Sequence, residues 1–211
     1  MRLLPLLLDQ GHQVVCSVRD ANRLSISEDL KKQIEIVVID FLNPVTPNAL
    51  PKDIEAAYYL IHSMSSSTSD FDEKEERAVK NFNTYLEPTN CKQVIYVGGI
   101  ANEKSLSKHL WSRKNVENIL YQGSAAVTVL RAAIIVGSGS ASFEIIRDLC
   151  EKLPIMVTPR WVKTKCQPIA IRDVLNYLTG VLGNKECYNE SFDIGGPDVL
   201  SYREMMEGYA R

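Results

Sequence analysis

Gln13–Arg23 reads QVVCSVRDANR, and the reading of this stretch decides the fold. Gln13, Val14, Val15, Cys16, Ser17 and Val18 are residue types that suit a pleated, half-buried strand. The run stops at Arg19, and Arg23 follows a turn later. In a parallel sheet these cations stand at the carboxyl end of the strand, outside which open α/β sheets bind their ligands. Two solvated arginines after a strand are the ordinary reading of the same residues. The stretch alone leaves both open.

Upstream, Met1–Asp9 (MRLLPLLLD) reads as a helix stopped at Gly11-His12. Its apolar run is too short for a secretory signal or a membrane span, Pro5 interrupts it, and no small-residue cleavage site follows. A nucleotide-binding α/β unit opens with a strand, a glycine-rich turn and then such a helix. Here the helix comes first.

Downstream, strand and helix alternate. Leu24–Lys32 is a polar segment with a short helix, and Ile34–Asp40 (IEIVVID) is a β-branched strand. Pro44, Pro47 and Pro51 break the next loop. Ala56–His62 (AAYYLIH) is a buried strand followed by the serine-rich patch Ser63–Ser69. Asp70–Leu86 is an amphipathic helix with Phe71, Val79, Phe82 and Leu86 at helical spacing. Its Asp72, Glu73, Glu75 and Glu76 read as solvated first turns favoured by the helix dipole. Gln93–Val97 is a strand closing on Gly98-Gly99, Ser107–Tyr121 a helix, and Val127–Val136 the longest apolar strand. Ser142 is read as the cap of a helix running to Leu153. Ile155–Lys165, Gln167–Ile171, a helix from Arg172 to Leu182 and Phe192–Gly196 build a smaller lobe, and a helix over Ser201–Tyr209 opens with a Ser201/Glu204 capping box. The alternation predicts an α/β, Rossmann-like, doubly wound parallel sheet. Its expected domain is 1–141, with a small C-terminal lobe over 142–211 packed partly on it.

Composition sets the bounds. A chain of 211 residues, 45% hydrophobic and 24% charged, is an ordinary globular protein. A formal net charge of −2 offers no electrostatic footprint for nucleic acid or an anionic membrane. Five scattered cysteines, without metal-ligand spacing, read as free thiols in a reducing compartment, so a cytoplasmic location is expected.

The segments GHQVVCSVRDANRL, IDFLNP, AYYLIHSM, QVIYVGGI, VTVLRAAIIVGSGSASFEIIRDL, TPRWVKTKCQPIAIRDVLNYL and FDIGGPDVLSYREMM together resemble the atypical short-chain dehydrogenase/reductases. The nearest group is the NmrA-like and nucleoside-diphosphate-sugar-epimerase-like NAD(P)-binding proteins, and the resemblance runs over essentially the whole chain. It implies cofactor contacts at Arg19 and Arg23 (favouring the NADP 2′-phosphate over NAD), Asp40 and Phe41 beside the adenine, and His62, Ser63 and Met64 under the ribose and phosphates. It also implies Gly98 and Gly99 where a catalytic serine often stands, and Ala133 and Ile134 at the nicotinamide amide. His109 and Arg113 match the Y-x-x-x-K pair; Arg113 would also hold the nicotinamide ribose. Phe143, Arg160 and Trp161 are candidates to line a substrate site, although Trp161 equally suits the core of the lobe.

Three departures shape the functional expectation. The G-x-x-G-x-x-G turn is not in this sequence, and Met1 aligns just after its last glycine; a start assigned too late or a shortened chain would account for that. Histidine and arginine stand for tyrosine and lysine, and a solvated His/Arg face on the helix is the plainer account of them. Gly98 and Gly99 offer no hydroxyl. Two functions therefore stand side by side. One is an NAD(P)-binding oxidoreductase or sugar-epimerase-like enzyme moving a hydride to or from a small carbonyl or sugar-like substrate. The other is a non-catalytic NADP-binding redox sensor that reports to a protein partner. No nucleic-acid, membrane or metal partner is expected; a homo-oligomer is compatible with the exposed sheet edges that a missing first strand would leave.

Overall fold

The computed structural model describes residues 2–61, 70–100, 108–152 and 160–210, without the side chains of 70–72, 108–110, 141–142 and 160–161. Helix α1 (Leu3–Asp9) buries Leu4 and Leu7. It ends where Gly11 takes a φ of +82°, a left-handed conformation that costs glycine little. The N–H groups of Gln10, Gly11 and His12 close on the Leu6, Leu8 and Leu7 carbonyls. Strand β1 (Val14–Val18) follows, then a 3-10 turn at Ala21–Arg23, the short α2 (Glu28–Lys31) capped by the Ser27 hydroxyl, and β2 (Ile34–Val38). The chain continues through β3 (Ala56–Tyr59), α3 (Asp70–Leu86), β4 (Gln93–Gly99), α4 (Lys108–Leu120) and β5 (Ala126–Ala132). Last come β6 (Ile135–Val136), α5 (Ala141–Lys152), β7 (Lys165–Cys166), β8 (Ile169–Ala170), α6 (Ile171–Gly180), β9 (Ser191–Ile194), β10 (Leu200–Ser201) and α7 (Tyr202–Tyr209).

The parallel α/β architecture is as expected, but the ladder is divided. The central sheet has the order β3-β4-β5-β9, all parallel, while β1 and β2 form a parallel pair of their own. Among the described residues no strand pairs with the second edge of β1 or of β3. The burial pattern records the difference. β4, paired on both sides, is buried from Gln93 through Gly98, whereas β1 is half-buried at every apolar position.

Hydrophobic periodicity explains the two covered faces. On one side Val79, Phe82 and Leu86 of α3 and Val116, Ile119 and Leu120 of α4 pack on Val94, Tyr96, Val127 and Val129. On the other, Val174 and Leu178 of α6 pack on Ile95, Val97, Leu130 and Ile194. The β1–β2 pair joins the first core through the residues after β2. Ile39 and Phe41 are buried there, with the Phe41 ring 5.5 Å from Tyr85 and 5.8 Å from Phe82.

Four details differ from the sequence reading. The run 127–136 is two strands, not one: the chain bends at Ala133, and β6 leaves the central sheet to pair with β8. The cap of α5 is Ser140, whose hydroxyl accepts from the Phe143 N–H, not Ser142. Glu75 is not solvated; it is buried and accepts a hydrogen bond from the Ser112 hydroxyl, tying α3 to α4. β9 pairs with β5 and α6 covers the sheet, so what stands apart in 142–211 is α5, the 3-10 turn Arg160–Lys163, β7, β10 and α7, around Ile146, Val162 and Met206. The capping box at Ser201 and Glu204 is present, and α3 has the bounds its periodicity gives.

A buried polar clamp joins the sheet to the chain after α6. Gln93, fully buried, donates to the Thr128 hydroxyl and the Val181 carbonyl at 2.9 Å each and accepts from the Gly183 N–H at 2.8 Å. A buried polar group left without its partner costs about 1–3 kcal/mol. Gln93→Leu leaves the Gly183 N–H without its acceptor and the Val181 carbonyl with only the Asn184 N–H, and we expect it to lower the unfolding free energy by roughly 1–3 kcal/mol. Urea denaturation checks this, and a loss below about 0.5 kcal/mol would show that the clamp is dispensable.

Candidate functional site

Parallel pairing places the carboxyl ends of β1 and β2 together and those of β3, β4 and β5 together. At the end of β1, Arg19 is exposed and has no ion pair among the described residues. Arg23 is 76% exposed and stands 3.8 Å from the Asp20 carboxylate. The adjacent β2 ends at Val38, which is in register with Val18 and 62% exposed, an apolar surface beside the two cations. Leu60, just past β3, is likewise exposed.

Asp40 and Phe41 follow β2 but play different parts. One Asp40 carboxylate oxygen accepts the Leu42 N–H at 3.0 Å, and the side chain is half-buried. The Phe41 ring is turned into the core, so only its backbone borders the edge. Asn81 of α3, which the sequence reading did not single out, donates to the Phe41 and Asn43 carbonyls at 2.7 and 2.9 Å and fixes this turn. A polar residue inside an amphipathic helix, five before Leu86, was the available signal. Asp20 was also missed; its carboxylate accepts the Asn22 N–H and caps the turn that carries Arg23.

At the centre of the sheet, Gly98 and Gly99 lie inside β4, opposite Arg131 and Ala132 of β5, rather than in a loop beyond it. A Cβ built on Gly98 meets Tyr96, Val129 and Arg131 at 3.4–3.7 Å, ordinary contact distances, so no close packing demands glycine there. Arg131 is paired with the buried Glu117 of α4 at 2.5 Å. Arg113, half-buried on α4, has its carbonyl 3.4 Å from the Tyr96 hydroxyl. Burial pushes the Tyr96 phenol well above its usual range, with the Arg113 charge opposing that shift. Tyr96 is therefore a neutral hydrogen-bond donor. His109 lies on α4, but its side chain is outside the described residues, as are His62, Ser63 and Met64 and the side chains of Arg160 and Trp161.

Ala133 is exposed at the bend after β5, while Ile134 is buried and its carbonyl already accepts the Ile169 N–H at 2.8 Å. The Phe143 ring packs edge-on against Tyr209 at 5.8 Å, within the group formed by α5 and α7. The structure thus brings Arg19, Arg23 and Asp40 to one pair of strand ends and Gly98, Gly99, Arg113 and Ala133 to the central sheet and its flanking helix. Among the described residues no helix is long and apolar enough to cross a membrane.

This arrangement, carboxyl strand ends of a parallel sheet with helices on both faces, is the architecture of dinucleotide-binding α/β proteins. The sequence matches the family model described as NAD(P)H-binding over residues 1–139, and the chain belongs to that family. No curated protein matches it. Among solved structures, UDP-glucuronic acid 4-epimerase from Bacillus cereus, in complex with NAD and a fluorinated sugar nucleotide, superimposes with a TM-score of 0.73 at 17% identity, covering 98% of this chain and 78% of that one. Gre2 from Candida albicans, in complex with NADPH, gives 0.75 at 14% identity, covering 97% and 77%. A nucleoside-diphosphate-sugar epimerase from Staphylococcus aureus gives 0.74 at 11%, covering 96% and 69%. At these identities the likeness is one of fold, and it agrees with the resemblance to the atypical short-chain dehydrogenase/reductases.

At the β1 and β2 ends a guanidinium without an ion pair among the described residues, an exposed valine and a carboxylate stand together. Before α1, the Arg2 guanidinium donates to the Ser138 carbonyl at 2.9 Å.

The contrast between two glycines is testable. Gly98 leaves room for a methyl group, whereas a Cβ on Gly196 would lie 2.5 Å from the Pro168 carbonyl oxygen. We expect Gly98→Ala to change stability by less than about 1 kcal/mol and Gly196→Ala to cost roughly 1–3 kcal/mol. Paired thermal melts check this, and equal losses would contradict the site geometry.

Proposed function

We propose that this chain is an NADP-preferring member of its family, an oxidoreductase or sugar-epimerase-like protein acting on a small carbonyl or sugar-like substrate. The observation that carries the preference is Arg19, a cation without an ion pair among the described residues at the carboxyl end of β1. Guanidinium matches phosphate with two parallel charge-assisted hydrogen bonds, and Arg23 adds a second cation. Asp40 borders the adenine, and the family resemblance assigns contacts with the ribose and phosphates to His62, Ser63 and Met64, which lie outside the described residues. Gly98, Gly99, Ala133 and Ile134 supply backbone at the nicotinamide end.

A bound nicotinamide supplies the hydride chemistry. The residues of the chain orient the reactants and handle the proton. Arg113, permanently charged, holds ribose hydroxyls. The His109 imidazole gives a proton to the carbonyl oxygen of the substrate as the carbon of that carbonyl is reduced, and takes it back in the reverse direction. The family resemblance makes Phe143, Arg160 and Trp161 candidates to contact the substrate. A cytoplasmic location fits a soluble dinucleotide-dependent role.

A second reading has its own observation. β4 ends in Gly98-Gly99, without a hydroxyl to polarise a carbonyl, which favours a protein that binds NADP without turning it over and passes redox state to a protein partner. NADPH oxidation over a panel of carbonyl substrates separates the two readings.

Affinity follows from the contacts. Each charge-assisted hydrogen bond contributes on the order of 1.5–3 kcal/mol, and association costs at least about 4 kcal/mol. Two or three such contacts at the adenosine half leave a surplus of at most about 5 kcal/mol, which is binding of millimolar order or weaker. Ligand-observed NMR with NADP⁺ and NAD⁺ is the measurement. We expect NADP⁺ to bind about tenfold or more tightly than NAD⁺ and Arg19→Ala with Arg23→Ala to remove that preference. Equal affinities in the unmodified chain would contradict the preference, and micromolar saturation would show that more than these charged contacts hold the cofactor.

A further inference from the structure

Between the two arginines stands a carboxylate engaged on both oxygens. Oδ1 of Asp20 accepts the Asn22 N–H at 2.9 Å, and Oδ2 lies 3.8 Å from Nε of Arg23. The backbone closes the same turn, with the Arg23 N–H donating to the Asp20 carbonyl at 3.1 Å. Arg19, on the other side of Asp20, has no such partner among the described residues. Asp40, the carboxylate that follows the neighbouring strand, accepts the Leu42 N–H. The β1 end therefore carries two cations of unequal availability: Arg19 is free to meet an anion, and Arg23 is shared with an acid.

We propose that Asp20 sets how strongly this edge prefers a ribose 2′-phosphate to a 2′-hydroxyl, by holding Arg23 in an ion pair and by opposing the approaching phosphate with its own charge. The inference rests on the reading of Arg19 and Arg23 as the 2′ end of the cofactor site and adds the residue that limits their effect. A like charge several ångströms from a phosphate dianion in solvent weakens its binding severalfold, and salt screens the penalty. Asp20 also shapes the turn. Asparagine in its place keeps an oxygen for the Asn22 N–H and removes only the charge, since the two residues cap helical turns about equally well.

Asp20→Asn is tested by calorimetry with adenosine 2′,5′-bisphosphate and 5′-AMP, ligands that differ only in the 2′-phosphate. We expect the bisphosphate to bind Asp20→Asn about fivefold more tightly than the unmodified chain at low ionic strength, with 5′-AMP unchanged. The gain should fall away at about 0.5 M salt, where screening is short-ranged. Arg19→Ala with Arg23→Ala should abolish the difference between the two ligands whether or not Asp20 is present. An unchanged or weakened bisphosphate affinity in Asp20→Asn, while the unmodified chain still prefers the bisphosphate, overturns the role of Asp20 and leaves the cofactor site standing. Weaker 5′-AMP binding with bisphosphate unchanged overturns it too, because Asp20 would then be contacting the ribose hydroxyl. An unmodified chain that fails to distinguish the two ligands overturns the cofactor site itself, and this proposal with it. Thermal melts of each variant confirm that the fold is retained.

Discussion

The β4–β5 ladder is the constraint from which the rest of the molecule follows. Its two strands pair in register from Gln93 with Ala126 to Gly99 with Ala132, and both faces are covered by helices. Parallel strands are not joined by a tight turn, so a crossover element has to return the chain to the starting edge. α4 does this between β4 and β5 and packs on the ladder it connects. The same requirement leaves every parallel strand ending at one edge. That edge is where glycines, arginines and a half-buried carboxylate collect.

The β1–β2 pair is attached differently. No ladder joins it to the central sheet among the described residues; side-chain packing of Ile39 and Phe41 against Tyr59, Phe82 and Tyr85 does, with the Asn81 hydrogen bonds to the Phe41 and Asn43 carbonyls. Hydrogen-bonded ladders fix register, whereas aromatic packing fixes only proximity. The β1 and β2 ends therefore rest on a connection without a strand ladder among the described residues. Ligand binding across the strand ends would add to the ties between the two parts.

Much of this was legible in the residues. β-branched runs bounded by turn residues located β1, β2, β3 and β4 to within a few residues, and the spacing of Val79, Phe82 and Leu86 gave α3. What escaped had physical causes. The apolar run through 127–136 carries no mark of the bend at Ala133, because every residue there suits either side of a strand break. Glu75 looked solvated beside its acidic neighbours; only the α3–α4 contact reveals Ser112 as its donor. Phe41 was expected beside the adenine by likeness to a family, and its ring instead serves the core. Arg19 and Arg23 could be placed at a strand end, but the ion pair of Asp20 with Arg23 depends on the turn between them, which residue types alone do not specify.

The central claim is that the carboxyl ends of β1 and β2 receive the adenosine half of a 2′-phosphorylated dinucleotide. The most direct test is a titration of the isotope-labelled chain with adenosine 2′,5′-bisphosphate, followed by amide chemical shifts. The account predicts saturable shifts at Arg19, Asp20, Arg23 and Asp40, with α5 and α7 unmoved. Shifts centred on the lobe helices, with none at these four residues at the same ligand concentration, would contradict it.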